Sequence, residues 1–441
     1  MRSFTRPPAF IGAGLTALLL MVASCSSSTS TEQSGDSTGG EDPLPAGSVD
    51  AADPTSSPST GSTPSTARSE SVDGSGADPS TPAENTTSTG ETYPVADASW
   101  SDCGGRFQCA TVDMPLDHDD PTGSTIEIGL IRIEAPEPAH GSIFVNLGGP
   151  GGSAIGAIRA GFDLDEETMS RYHLVGFDPR GIGASAPLRC GVDLTAGPRP
   201  DFSPDTDEEA EELDRQAKSL AQDCARLDGE LLPHLGTDSV IRDLDLLRQA
   251  VGDSELHYFG LSYGTLIGLR YAERYPAVVG HMVLDGVVDP AFSLADLLRQ
   301  QAGEFDRAFQ VIDAGCGTAL RCPDGGITAS YDRVLQSLED LGPQGDVGPA
   351  ELQFATLIAM YSEELWPRYS IALSEAETGN FAAIENLHDL YAGAISFSAY
   401  IAVLCIDSQV PIGAEAWDDL ATELDELSPR FGSALANEVR S

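Results

Sequence analysis

The sequence predicts an α/β fold in which helices cover a parallel sheet and a helical cap follows. Between residues 125 and 289, short apolar runs alternate with stretches of helical periodicity. That alternation favours a parallel sheet wound with helices on both faces. From 290 to 400 the helical periodicity continues without clear strands, as expected of a cap inserted into the core. A Gly-x-Ser-x-Gly sequence at 260–264 lies between a predicted strand and a predicted helix.

The predicted elements divide the chain into a core and a cap. We expect an α/β core at 96–289, the helical cap at 290–400, and a return to the core, left incomplete, at 401–441. The strands are predicted at 125–134, 142–146, 173–177, 255–259 and 281–284, and two core helices at 238–251 and 263–275.

The first 25 residues have the order of a bacterial lipoprotein signal peptide. Arg2 and Arg6 form a basic start, residues 9–22 are apolar but short for a membrane span, and residues 22–25 (Val-Ala-Ser-Cys) match a lipobox. We therefore expect lipidation of Cys25, and an exported protein anchored to the cell membrane on its extracytoplasmic side. The alternative is an uncleaved anchor helix with a chance cysteine.

The next segment and the overall charge limit the possible partners. Residues 26–95 are rich in Ser, Thr, Gly, Pro and acidic residues, so we expect a disordered linker that cannot offset its chain entropy by burial. The chain carries a formal net charge of −45, and Lys218 is its only lysine. That balance argues against nucleic acid or anionic lipid as a partner.

The cysteines agree with export. No zinc-type spacing with histidines is present, so we predict disulfides rather than a metal site, and no cofactor is expected. Seven cysteines follow Cys25, and Cys405 is the one left without a predicted partner. Proximity in the sequence predicts three pairs, which are Cys103/Cys109, Cys190/Cys224 and Cys316/Cys322.

The strongest chemical signal is residues 260–264, Gly-Leu-Ser-Tyr-Gly. A nucleophile elbow needs small residues two before and two after the serine, because the sharp turn brings their Cα atoms close to neighbouring backbone. Such a turn exposes the serine Oγ and aims the next helix N-terminus at the site. Ser262 is therefore predicted to be the nucleophile.

A glycine-rich turn directly follows the strand predicted at 142–146. Residues 148–152 are Gly-Gly-Pro-Gly-Gly, and the N–H of Gly149 is predicted to face a developing oxyanion beside the N–H of Tyr263. A phosphate loop is not favoured, because no lysine follows at the required place. A plain tight turn is the remaining alternative.

A third loop completes a set of motifs that resembles a known family. Residues 178–185 are Asp-Pro-Arg-Gly-Ile-Gly-Ala-Ser, and we predict that Asp178 and Arg180 hold the loops under the site. The glycine turn, this loop and the elbow, in that order, resemble the proline iminopeptidase group of serine peptidases, which has the α/β-hydrolase fold. Residues 284–290 and the lipoprotein start resemble its secreted tripeptidyl aminopeptidase branch. Leu147 departs from the His or Pro that is frequent there.

The resemblance implies a substrate and a way to recognise it. Members of this group release single residues or short peptides from a free N-terminus through an acyl-enzyme, and acidic groups of the cap bind the amine. Glu363, Glu364 and Asp407 are the candidates for this role, although a solvated surface charge is the commoner explanation of each.

The resemblance also implies an acid and a histidine base after the nucleophile. Only His281 and His388 follow Ser262; we predict His281 on a strand, pointing into or beneath the sheet, and His388 on a cap helix. Asp285 or Asp289 remains an alternative acid. We expect the strands that carry the acid and the histidine to be missing through C-terminal truncation, which would impair activity and expose the last strand as a sheet edge.

Three functions stay open from the sequence. The favoured one is an envelope serine aminopeptidase that acts through Ser262. An esterase or lipase on the same fold is the nearest rival, because the elbow does not encode the substrate. A non-catalytic envelope lipoprotein that kept the fold for binding is the third.

Overall fold

The computed structural model describes residues 93–440, apart from 137, 191–196, 292 and 318–321. The predicted signal peptide with Cys25, and nearly all of the predicted linker, lie outside the described residues. Within the described ranges, no helix is both long and apolar enough to cross a bilayer.

The described strands form one seven-stranded sheet in the order β1-β2-β3-β5-β4-β6-β7. β5, β4, β6 and β7 pair in parallel, as predicted. β2 and β3 pair antiparallel, and β3 joins β5 antiparallel, so the sheet is mixed rather than wholly parallel. The bounds are β1 Ser101–Asp102, β2 Phe107–Pro115, β3 Thr125–Ile133, β4 Ser142–Asn146, β5 His173–Phe177, β6 Leu256–Leu261 and β7 Val279–Asp285.

Five helices accompany these strands in the described core. Their ends carry ordinary signals: the Ser153 side chain accepts the Gly156 N–H at the start of α1, and Thr206 with Glu209 forms a capping box at the start of α3. The bounds are α1 Ala154–Ala160, α2 Glu166–Met169, α3 Asp207–Asp228, α4 Thr237–Ala250 and α5 Tyr263–Arg274.

The register of the parallel strands brings two motifs together. Asn146 at the end of β4 pairs with Gly260 on β6, and Leu261 at the end of β6 pairs with Asp285 on β7. Because these carboxyl ends share one edge of the sheet, the glycine turn after β4 lies beside the elbow after β6. In open α/β sheets, ligands bind at such an edge.

The remaining helices form the cap, and their apolar faces share one buried cluster that includes Leu298, Phe309 and Tyr331. The expected return of 401–441 to the core is wrong. Leu404, Trp417 and other apolar residues of this stretch are buried in the cap cluster. Their spacing along the chain therefore belongs to helices that pack within the cap. The bounds are α6 Leu294–Ala314, α7 Gly326–Leu341, α8 Pro349–Met360, α9 Trp366–Ala376, α10 Ala382–Ala392, α11 Phe397–Asp407, α12 Ala414–Leu427 and α13 Gly432–Glu438.

The three predicted disulfides are confirmed, with Cα–Cα distances of 5.7, 4.7 and 5.4 Å for Cys103–Cys109, Cys190–Cys224 and Cys316–Cys322. Cys405 lies on α11 and takes part in none of these bonds.

The last strand lies at the edge of the described sheet, as expected. The predicted orientation of His281 is wrong: its side chain is exposed, and its ring lies 5.1 Å from that of His257. On an edge strand one side is open to solvent, so a polar residue there need not face the interior.

Candidate active site

Ser262 lies at the tip of the turn between β6 and α5. Its backbone is held at φ 51° and ψ −122°, a conformation that residues with a Cβ rarely adopt. A Cβ on Gly264 would lie 2.4 Å from the carbonyl oxygen of Asn146, and one on Gly260 would lie 2.6 Å from that of Gly264. The two glycines are therefore required by close backbone approach, as the elbow predicts.

Hydrogen bonds hold the elbow on both sides of Ser262. The Ser262 N–H donates to the carbonyl of Asp285 at 2.9 Å. The Ser262 carbonyl accepts from the Thr265 N–H at 2.8 Å and from its hydroxyl at 2.6 Å. The backbone groups of Ser262 are thus fully used, which leaves its Oγ as the group presented to the cavities.

The glycine turn after β4 packs directly against this elbow. A Cβ on Gly148 would lie 2.6 Å from the carbonyl oxygen of Leu261 and 3.0 Å from the Cβ of Ser262. Asn146 Oδ1 accepts the N–H of Gly148 at 3.0 Å. Among the hydrogen bonds of the described residues, the N–H groups of Gly149 and Tyr263 have no acceptor.

A loop of the cap lies on the far side of the same turn. Ser396 donates its N–H to the carbonyl of Gly151 at 2.9 Å, and Gly152 pairs with Ile395 in an isolated bridge. A Cβ on Gly151 would lie 2.6 Å from the carbonyl oxygen of Ser396. The glycines of this turn are therefore pressed between the elbow and the cap.

The loop after β5 has the structural role that the sequence predicts. Asp178 Oδ1 accepts from the Ser153 hydroxyl at 2.8 Å, and its Oδ2 accepts from the Ala184 N–H at 3.0 Å. Arg180 is 1% exposed and donates to both carboxylate oxygens of Asp243 at 2.7 Å. Neither side chain lines a cavity at Ser262.

Ser262 lines two cavities that differ in character. The first, of about 420 Å³, carries the polar residues Thr237, Asp238, Arg270, Asp289 and Asp407. The second, of about 500 Å³, lies between the glycine turn and the cap. It is mostly apolar, and its walls include Leu147, Val287, Phe305, Ile358 and Tyr391.

The three candidates for amine binding are not brought together. Glu363 and Glu364 are exposed and line neither cavity. Asp407 does line the polar cavity, where its carboxylate accepts hydrogen bonds from Thr237 and Tyr263. Parts of the residue are exposed, but the loss of water around the carboxylate raises the pKa of Asp407, and these hydrogen bonds oppose that rise.

Neither histidine that follows Ser262 in the sequence reaches it. His388 is 3% exposed on α10, where burial lowers its pKa, and neither it nor His281 lines a cavity at Ser262. Asp285 contributes its backbone carbonyl to the elbow, and Asp289 lines the polar cavity. Within the described ranges, the site therefore has a nucleophile and two free N–H groups but no base on Ser262.

Sequence reasoning missed two features around the site. Thr237, at the start of α4, bridges Asp407 and Tyr263. Glu438, on α13, is buried beside Tyr391. No local motif marks either residue, although Glu438 is the one charged residue of its short helix.

One group of carboxylates in the described chain has a spacing that a cation would fit. Ligand atoms of Asp201, Glu209 and Glu339 lie within 4.8 Å of one another, outside both cavities. Burial and the neighbouring carboxylates raise the pKa of Glu339 to about 7. A shared proton therefore accounts for the close approach at neutral pH, and we assign no metal role to this group.

Comparison with known proteins agrees with this geometry. The chain is 34% identical to the serine protease Hip1 of Mycobacterium tuberculosis over 338 residues, which cover 70% of this chain and 64% of Hip1. It is 34% identical to carboxylesterase B of the same organism over 348 residues, covering 73% of this chain and 66% of the relative. It is 31% identical to tripeptidyl aminopeptidase of Streptomyces lividans over 368 residues, which cover 76% of this chain and 68% of the relative.

The chain thus spans slightly less than two thirds of the length of the serine protease and the carboxylesterase. The resemblance to tripeptidyl aminopeptidases is confirmed by the third relative. The family model described as the alpha/beta hydrolase fold matches residues 142–365, a range that contains the glycine turn, the elbow and the first cap helices. On that match, the parallel strands and the nucleophile elbow, the chain belongs to the α/β-hydrolase fold family.

Proposed function

We propose that this protein is an exported serine hydrolase, of the aminopeptidase type, that forms an acyl-enzyme on Ser262. The observation that carries the proposal is the elbow itself. A serine in a rare backbone conformation lies at the meeting point of two cavities, beside two N–H groups without an acceptor. Two relatives, 34% and 31% identical to this chain over the aligned residues, bear the names of a serine protease and an aminopeptidase.

The proposed chemistry follows from the placement of these groups. Ser262 Oγ attacks the scissile carbonyl, and the N–H groups of Gly149 and Tyr263 stabilise the resulting oxyanion. The hydroxyl proton must pass to a base, because an unassisted serine is a weak nucleophile at neutral pH. We expect the 441-residue chain alone to be impaired, since no histidine among its described residues reaches Ser262.

Labelling with an alkyl fluorophosphonate tests the nucleophile. In the protein expressed from its natural gene, mass spectrometry should find one adduct, on Ser262. Ser262→Ala should abolish the adduct, and Ser219→Ala, at an exposed position on α3, should keep it. The 441-residue chain should react slowly, and imidazole in the buffer should speed the reaction by acting as an external base. A folded natural protein that is not labelled would support the non-catalytic lipoprotein instead.

The aminopeptidase specificity is supported by the polar cavity. Asp238 and Asp289 place carboxylates on one side of the Ser262 site, which suits the ammonium group of a peptide N-terminus. Hydrolysis of a tripeptide anilide with a free amine should therefore exceed that of the N-acetylated anilide at least tenfold. Equal rates on the two would contradict this specificity.

A carboxylic ester hydrolase is the second candidate. The apolar cavity beside Ser262 suits an acyl chain, and one relative is named carboxylesterase B. Medium-chain p-nitrophenyl esters distinguish the two candidates. A higher kcat/KM for these esters than for the free tripeptide anilide would favour the esterase.

The lipid anchor is part of the proposal and rests on the sequence alone. Growth with labelled palmitate should mark the natural protein, which should sediment with membranes. Cys25→Ala should abolish the label and release the protein, and Cys405→Ala should do neither. A palmitate label that survives Cys25→Ala would contradict anchoring at this residue.

A further inference from the structure

The end of cap helix α11 is joined to the start of core helix α4. Asp407 Oδ1 accepts the backbone N–H of Thr237 at 2.9 Å, and Oδ2 accepts the Thr237 hydroxyl at 2.5 Å. The partners are 170 residues apart in the chain. A carboxylate at a helix N-terminus satisfies a backbone N–H that has no partner in its own helix.

The approach of Asp407 depends on the residue that precedes Thr237. Gly236 is the N-cap of α4 and has no side chain to cap the helix. A Cβ on Gly236 would lie 2.8 Å from Asp407 Oδ1 and 2.8 Å from a methyl carbon of Ile406. Glycine here makes room for the end of α11, and Asp407 supplies the cap that Gly236 lacks.

The same network continues into the elbow. The Thr237 hydroxyl lies 2.5 Å from the hydroxyl of Tyr263, and that hydroxyl lies 3.4 Å from Asp407 Oδ2. Thr237 is 5% exposed and Tyr263 is 8% exposed. Either hydroxyl can donate within the Thr237–Tyr263 pair, and each can also donate to the Asp407 carboxylate, so the three groups form one hydrogen-bonded network.

Tyr263 is the residue that follows the nucleophile. Its backbone N–H is the first of α5 and has no acceptor in the described part of the chain. The side chain of Tyr263 is rigid, and its hydroxyl is held by the Thr237 hydroxyl. A shift of the Tyr263 hydroxyl would therefore move the Tyr263 backbone and tilt the first turn of α5. An oxyanion donor acts only within a narrow range of distance to the developing charge.

We propose that Asp407 is a positioning residue, which acts through Thr237 to hold Tyr263, and with it the oxyanion N–H beside Ser262. This inference rests on the proposed role of Ser262. It also gives Asp407 a function different from binding the substrate amine, because both of its oxygens already accept hydrogen bonds from Thr237.

The test measures labelling of Ser262 by a neutral alkyl fluorophosphonate, which has no amine, in the natural protein. Thr237→Val removes the hydroxyl at nearly equal volume and keeps the backbone N–H that Asp407 caps. The labelling rate constant at saturating probe should fall about tenfold, and the half-saturating concentration should stay unchanged. Thr237→Ser, which keeps the hydroxyl, should restore the wild-type rate.

Tyr263→Phe breaks the same connection from the other side and should give a similar fall. The double variant Thr237→Val/Tyr263→Phe should be no slower than either single variant, because both remove one link. Asp407→Asn should also slow labelling, whereas Asp419→Asn, at an exposed position on α12, should not.

The outcomes separate this inference from the proposed function. Wild-type labelling rates in Thr237→Val and Tyr263→Phe would overturn the positioning role, as would effects that add in the double variant. Equal losses in Thr237→Val and Thr237→Ser would also overturn it, since they would reflect general damage. If the wild-type protein itself shows no adduct on Ser262, the proposed function fails and this inference fails with it.

Discussion

Ser262 keeps a backbone conformation that costs of the order of 1–3 kcal/mol. The conformation persists because its N–H and its carbonyl are both bonded, to Asp285 and Thr265. Gly264 packs closely against Asn146, and Gly148 of the turn after β4 packs against Leu261 and Ser262, which leaves the elbow no room to relax. Strain at this residue is thus balanced by contacts from three strands and one helix.

Gly264→Ala should damage this arrangement. The added Cβ would meet the Asn146 carbonyl oxygen at 2.4 Å and its Oδ1 at 2.9 Å, and Oδ1 also accepts the Gly148 N–H that shapes the turn. We expect a loss of about 1–3 kcal/mol in the free energy of unfolding. Urea unfolding measures that loss, and labelling of Ser262 should slow in parallel.

Gly303→Ala is the matched control for this variant. Gly303 lies inside α6, and the nearest atom to its added Cβ would be Arg307 Nη1 at 3.9 Å. Alanine should raise the free energy of unfolding there by about 0.5–1 kcal/mol. Wild-type stability and labelling in Gly264→Ala would show that the elbow tolerates a Cβ.

At this scale the sequence predicted what is local and missed what is distant. Residues 260–264 carry their geometry in five consecutive positions, so Ser262 and its glycines were predictable. The bond between Asp407 and Thr237 joins residues 170 positions apart, and neither residue type is unusual at a helix end. Such a contact depends on how the cap docks, which periodicity does not determine.

The buried ion pair of Arg180 and Asp243 joins several elements of the core. Arg180, in the loop after β5, donates two hydrogen bonds to Asp243 on α4, and it also donates to the carbonyl oxygens of Leu116 and His234. Both partners are 1% exposed. One guanidinium therefore fixes α4, whose N-terminus holds Thr237, to the sheet.

Asp243→Asn should cost about 3 kcal/mol, because it leaves a buried guanidinium without its counter-charge. Burial raises the pKa of Asp243, but Arg180 and His118 lower it more, so the net shift is downward. A lowered carboxyl pKa contributes stability above the ordinary value near 4, and this is lost as the pH falls through the lowered pKa. Urea unfolding between pH 3 and pH 7 should show that dependence in the wild type.

Asp238→Asn provides the control on the same helix. Its ion pairs with Arg242 and Arg274 are partly exposed, so the loss should stay below about 1 kcal/mol. A loss in Asp243→Asn as small as this would show that Arg180 finds other partners.

The disulfides should stabilise the elements they join to different degrees. Cys190–Cys224 closes a span of 34 residues, whereas Cys103–Cys109 closes a span of 6. From chain entropy alone, replacing both cysteines by serine should cost about 4 kcal/mol for the longer span and about 2 kcal/mol for the shorter. Guanidinium chloride unfolding of the two double variants measures the difference, and equal losses would contradict the entropic account.

The element scale shows where apolar periodicity decides and where it does not. Both ends of β4 and of β5 were predicted correctly. A short apolar run between two turns is too short for a helix, so a buried strand was the remaining choice. β2 was missed, since its buried and exposed residues alternate only in its second half. The apolar residues of 401–441 could pack equally well against the sheet or against the cap helices. Only the structure shows that they are buried among the cap helices.

At the scale of the whole molecule, the α/β core and the cap each have an apolar core of their own. One is formed by the strands with α1, and includes Ile131, Val145 and Ile158. The other is formed by the cap helices α6–α13. Ser262 lies where the two cores meet, so contacts between cap and core set the shape of both cavities. Besides the loop at Ser396, those contacts include the hydrogen bonds between Asp407 and Thr237.

Glu438 makes the stability of the whole chain depend on pH. It is 4% exposed near the end of α13, and burial raises its pKa to about 8, although the Tyr391 hydroxyl opposes this by donating at 3.5 Å. A raised carboxyl pKa contributes stability that is fully present below the ordinary value of 4.5 and is lost as the pH rises to about 8. Each pH unit in that interval removes about 1.4 kcal/mol of its contribution.

Glu438→Gln should therefore remove this dependence. The neutral amide resembles the protonated acid, so the variant should match the wild type near pH 5 and exceed its unfolding free energy near pH 8. Thermal or urea unfolding at both pH values measures the effect, and Glu385→Gln, at an exposed position on α10, should leave the pH dependence unchanged. Because Tyr391 also lines the apolar cavity, ionisation of Glu438 should loosen the wall of the Ser262 site before the chain unfolds. A Glu438→Gln variant that loses stability between pH 5 and pH 8 as steeply as the wild type would refute this.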